Sequence, residues 1–151
     1  MRAIVLCLYR GLTALFFAGV VVEFFFAGLG VFRTQHDATT AGTMLTKSTF
    51  EHDFNPHLLL GDILFGISLL LIVAALVAGL GRRDVLITVG LFALLAVQAT
   101  FAFSGPADLR ALHPVLALLV LGAAVILPLR AFRPHRGSEP TEESGRVELA
   151  S

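Results

Sequence analysis

The sequence predicts an all-α integral membrane protein: a four-helix bundle, up-down-up-down, built from two helical-hairpin repeats. Three observations carry that expectation. Hydrophobic residues make up 56% of the 151-residue chain and the mean hydropathy is +0.85, too apolar for an ordinary soluble domain. Four segments, about 11–32, 57–80, 85–103 and 111–130, reach the roughly 20 apolar residues that a membrane-crossing helix needs. The stretch from 22 to 30, VEFFFAGLG, is echoed by VQATFAFSG from 97 to 105, so the chain reads as a duplication. The four helices fill one domain, 1–133, and leave 134–151 as a tail.

Taken in order, the N-terminus MRAIVLCLYR has the charge and short apolar core of a signal peptide. Membrane-like sequence continues for 22 residues past Arg10 without a small-residue cleavage site, which predicts an uncleaved first helix. That helix is rich in phenylalanine and holds Glu23 near its middle. A carboxyl group at such depth is costly and is expected to face the bundle interior. Residues 33–56 are polar and read as a long outer loop. It ends in FEHDFNP, where Asn55 offers a cap and Pro56 a first helical turn. Helix two opens on His57 and carries Asp62. The tight link GLGRRD leads to helix three, which has no charge and one amide, Gln98. The turn SGPAD leads to helix four, which opens on His113. The Pro-, Gly-, Ser- and Glu-containing tail has too little apolar content to pack and is expected to be disordered.

Orientation follows from the basic residues. Arg2, Arg10, Arg82, Arg83, Arg130, Arg133 and Arg136 flank one side, against Arg33, Lys47 and Arg110 on the other. This places both termini in the cytoplasm of a plasma (inner) membrane and both histidines at the outer face. The net charge of zero gives no electrostatic case for nucleic acid, and the lone Cys7 excludes an internal disulfide. The partners expected are the lipid bilayer and a redox partner or larger membrane complex. Homo-oligomerisation is left open.

The repeat has the form V-[E/Q]-x-x-F-A-x-x-G. Relative to Glu23 and Gln98, the shared Phe26/Phe101, Ala27/Ala102 and Gly30/Gly105 fall on one helical face. Aligning His57 with His113 sets Gly61 against Ala117 and Gly66 against Gly122. Helices two and four are diagonal in such a bundle, on the order of 12–14 Å apart. That span suits two imidazoles with a flat iron macrocycle between them. Heme b is therefore the expected cofactor, with His57 and His113 as metal ligands. Gly61 and Ala117, one turn deeper, would let the ring lie close, and Glu23 and Gln98 would stand near its lower edge. Arg33, Lys47 or Arg110 would neutralise its propionates.

Plainer readings stand beside this one. Histidines at a membrane boundary serve as amphipathic interfacial residues, as in an accessory subunit without catalysis. Glu23 bonded to Gln98 or Ser68 would glue helices together. A third reading is a small transporter or proton relay using Glu23 and Asp62. Zinc would need further ligands from His36, Glu51, His52 or Asp53. Asp62 lies about 140° around the helix from His57, so it is expected to point away and to pair near the outer interface. Arg130, Arg133, His135 and Arg136 read as a topology signal that contacts lipid phosphate.

These features together resemble one half of a heme A synthase. The V-[E/Q]-x-x-F-A-x-x-G and LHP patterns are more closely similar to small uncharacterised four-helix membrane proteins of bacteria. The resemblance covers about residues 10 to 132 and implies axial heme ligation by His57 and His113. The synthase pattern has an acid three residues before its histidine and an arginine after it, where this chain has Phe54 and Leu58. This chain also supplies one half, not two.

Overall fold

The computed structural model describes residues 1–40, 46–103 and 107–133. Residues 41–45, 104–106 and the tail 134–151, with its expected disorder, lie outside the described residues. The chain forms α1 (Arg2–Thr40), α2 (Lys47–Val77), α3 (Arg82–Phe103), a single turn α4 (Ala107–Arg110) and α5 (His113–Ala131). Among the described residues there is no strand, and four helical segments are long and apolar enough to cross a membrane. The protein is an all-α four-helix bundle.

Helix α1 packs on α2 and α5, and α3 packs on the same two. The order around the bundle is thus α1, α2, α3, α5, with α2 diagonal to α5 and α1 diagonal to α3. The seam residues recur at intervals of three and four, as one face of each helix demands. They are Tyr9, Thr13, Phe16 and Val20 on α1; Leu64, Ser68, Leu71 and Ala75 on α2; Thr88 and Leu91 on α3; Val120, Ala124 and Leu127 on α5, all buried. Most other apolar side chains are exposed, as a lipid-facing surface requires. The buried hydroxyls donate back to their own helices. Thr13 bonds the Arg10 carbonyl at 2.8 Å, Ser68 that of Phe65 at 2.6 Å and Thr88 that of Asp84 at 2.9 Å. Tyr9 and Thr88 meet across α1 and α3, oxygen to oxygen, at 3.3 Å.

At the end of the bundle that holds the N-terminus, called the inner end after the expected orientation, α2 stops on a left-handed residue, Gly79, at φ 62°. The Gly79 and Leu80 N–H groups return to the carbonyls of Leu76 and Ala75 at 3.0 and 3.1 Å, and so turn the chain at once into α3. Two α1 arginines meet the orphan carbonyls of helix ends. Arg2 donates to Ala78 at 3.0 Å, and Arg10 to Ala131 of α5 at 2.8 Å. Arg130, read from sequence as a lipid-phosphate contact, is bound instead to the carboxylate of Asp84, with nitrogens at 2.8 and 2.7 Å. Arg133 is exposed, whereas His135 and Arg136 lie outside the described residues.

The opposite end, expected to be the outer one, departs most from the sequence reading. The long loop 33–56 is largely helical: α1 runs on to Thr40, and α2 begins at Lys47. The cap is Thr46, whose hydroxyl accepts from the Thr49 N–H at 3.2 Å, rather than Asn55; Pro56 lies inside α2. Pro56 lacks an N–H for the carbonyl of His52. Two contacts fasten the extension to α1 beside that gap. Asp53, only 4% exposed, accepts a 3.0 Å bond from the Thr34 hydroxyl. The Phe54 ring lies so close over Gly30 that an added Cβ would stand 2.7 Å from it. At about 1.5 Å per residue, α1 and α2 measure roughly 58 and 46 Å, against roughly 33 and 28 Å for α3 and α5. The first hairpin therefore projects beyond the second. Thr34→Val should cost about 1 kcal/mol locally. Faster amide exchange across 34–40 and 47–54, with the inner helices unchanged, is the expected reading.

Candidate functional site: paired histidines at the mouth of the bundle

The two histidines reach one another from diagonal helices. Their ring centroids are 6.3 Å apart and their planes are nearly perpendicular, at 88°. His57 sits ten residues into α2, where the helix on either side fixes its backbone. His113 is the first residue of α5, followed by Pro114 in the first turn, where the missing proline N–H costs nothing.

Each ring is met by the membrane-length helix that precedes its own. Nδ1 of His57 is 2.9 Å from Oε1 of Glu23 on α1; the two side chains are 21% and 16% exposed. The two atoms are in close polar contact, yet Nδ1 of His57 has no hydrogen-bond partner among the described residues. Nδ1 of His113 is 3.1 Å from the backbone carbonyl of Gln98 on α3. A carbonyl can only accept, so this nitrogen carries the proton. Neutral His113 then keeps its lone pair on Nε2, the tautomer a metal ligand requires. Oε2 of Glu23 and Oε1 of Gln98 are buried without a hydrogen-bond partner.

The predicted residues come together in the manner of the repeat. Glu23 and Gln98 stand on the diagonal helices α1 and α3, each beside the histidine of the helix that follows. Their roles differ from the expected ones in detail. Glu23 contacts His57 directly, rather than bonding Gln98 or Ser68. Gly61 gives space to the Glu23 carboxyl, whose Oε1 would lie 3.1 Å from an added Cβ. Ala117 is half-buried, one turn below His113. Asp62 faces outward, as expected from its angle, but no partner meets it among the described residues. Lys47 pairs with Glu51 at 3.5 Å on the projecting part of α2, about 15 Å along the helix from His57 and too far to serve a ring there. Arg110, three residues before His113, is the nearer cation. Sequence reasoning missed Thr34 and offered Asp53 only as a zinc ligand; the two are bonded to one another further along the same α1–α2 seam. The i,i+4 spacing of Asp53 and His57 was the signal that could have found them.

The donor set fits two-ligand binding of a metal. Two metal–nitrogen bonds of about 2 Å, with the two imidazole radii of roughly 1 Å each, span about 6 Å, close to the centroid separation found. Among the described residues no group of three or more His, Cys, Asp and Glu gathers that could hold a metal ion. Fold and site define a multi-pass helical membrane bundle with a histidine pair at its mouth. The chain matches no family model, no curated protein and no solved structure.

Proposed function

We propose that the protein binds heme b through axial ligation by His57 and His113 and serves electron transfer or heme handling at the outer side of an inner membrane. The observation that carries the reading is the 6.3 Å ring separation between residues on diagonal helices. When bound, the heme would supply one-electron redox chemistry. The chain's own residues would do the rest. His57 and His113 would hold the iron; the Gln98 carbonyl takes the Nδ1–H of His113 and leaves its Nε2 for a metal, while Oε1 of Glu23 stands 2.9 Å from Nδ1 of His57. The apolar layers below exclude water.

Those layers also weigh against a proton relay. Inward of Glu23 the seam residues Val20, Leu64, Val120, Phe16, Leu71 and Leu91 are buried and apolar, and Ser68 and Thr13 return their hydroxyls to their own helices. No string of free polar groups leads from the site to the inner end among the described residues. The absorption spectrum of the purified protein loaded with heme b tests the reading. A sharp low-spin Soret and α/β pattern is expected, and a spectrum like that of free hemin in the same detergent would reject it.

The proposed topology, with both termini cytoplasmic, rests on the basic cluster at one end. Thr40→Cys should be labelled by a membrane-impermeant maleimide added to intact cells, and Gly81→Cys should not. The reverse pattern would invert the protein in the membrane.

A further inference from the structure

Asp62 is out of place. It is exposed on α2, among Leu59, Ile63 and Leu69, which are 59%, 50% and 50% exposed. These residues form the face that α2 turns away from the bundle. Its depth follows from the histidines. His57 lies beside His113, the first residue of α5, and Asp62 is five residues further in, about 7 Å along the axis. A carboxyl group is thus presented to lipid more than a turn inside the bundle mouth. Ionisable residues within membranes face a bundle interior or a partner, because hydrocarbon offers nothing to bond them. Four residues on, Gly66 is exposed on the same side, and an added Cβ there would meet nothing within 4 Å. A bare patch of backbone next to a polar side chain is what close helix packing in a membrane uses.

We propose that this face of α2 docks a transmembrane helix of another membrane protein, one that carries a lysine or arginine level with Asp62. Charge complementarity selects this occupant over a second copy. Among the described residues, the lysine and arginines of this chain lie at the inner end or at and beyond the mouth of the bundle. A second copy packed α2 to α2 would therefore set Asp62 against its own like. An apolar helix with one cation would instead bury the acid, pair it and seat against Gly66. The inference does not depend on heme.

The test uses the full chain, fluorescently labelled, in phosphatidylcholine vesicles with a labelled polyleucine membrane-spanning peptide. The peptide carries either one lysine about five residues from its end or leucine there. Energy transfer should report association with the lysine peptide about tenfold tighter than with the leucine peptide. Asp62→Leu and Asp62→Asn should both abolish the difference, with helical content and thermal midpoint unchanged or raised. Equal association of the two peptides overturns the proposal, and so does a preference that survives Asp62→Leu. Self-association of the chain that Asp62→Leu removes would assign the face to a second copy instead. Unfolding of both variants would show that Asp62 serves the fold, and would overturn the proposal as well.

Discussion

His113→Ala is expected to remove one axial ligand and convert a low-spin heme spectrum to a high-spin, carbon monoxide-binding one, while His36→Ala leaves it unchanged. His113 opens its helix and its one hydrogen bond among the described residues is to a backbone carbonyl, so its loss should leave the bundle standing. His57→Ala should be harsher. It removes a proposed ligand and also takes away the imidazole beside Oε1 of Glu23, a carboxyl whose Oε2 is already buried without a hydrogen-bond partner among the described residues. An orphaned buried polar group costs about 1–3 kcal/mol, and more if charged. The His57→Ala, Glu23→Gln double variant should recover part of that stability but none of the low-spin spectrum. Spectra and thermal melts of the set check this. A low-spin spectrum that persists in His57→Ala or His113→Ala would dismiss that residue as a ligand.

The second large effect concerns Phe16, which is fully buried at the centre of the bundle. Truncation to alanine removes the largest side chain of the apolar layers that separate the histidines from the inner end. The expected cost is about 3–5 kcal/mol, because neighbours such as Leu64 and Leu71 sit on stiff helices and cannot collapse into the hole. Reversible unfolding in mixed micelles measures it. A loss below about 1 kcal/mol would mean that the interior is loosely packed.

Much of the fold was legible because hydrocarbon imposes one rule on every span: continuous apolar helix. The pairing of Glu23 and Gln98 with the histidines was half-visible in the repeat, which set their depth but not their contacts. Glu23 reaches His57 across α1 and α2, and that neighbour relation is tertiary. The outer end was misjudged for a different reason. Residues 33–56 are polar, and polarity signals exposure to water rather than absence of helix. The helical state of 33–40 and 47–56 rests on the Thr46 cap, the Thr34–Asp53 bond and the seat of Phe54 on Gly30. Pro56 read as a helix start because a proline is usually found there, yet here the helix passes through it.

One feature of the site bears on how the chain is made. Glu23 meets His57 within the first hairpin, and Gln98 meets His113 within the second. Neither polar contact waits for a residue from the other half. During synthesis the first hairpin emerges before the second exists, and its carboxyl group must enter the bilayer at a time when no later helix can shield it. Carrying its own imidazole, it can partition as a closed unit with its polar groups already turned on one another. The second hairpin can do likewise. Within the site, the two imidazoles are brought edge to face by the joining of the halves, so the histidine pair records the last step of assembly.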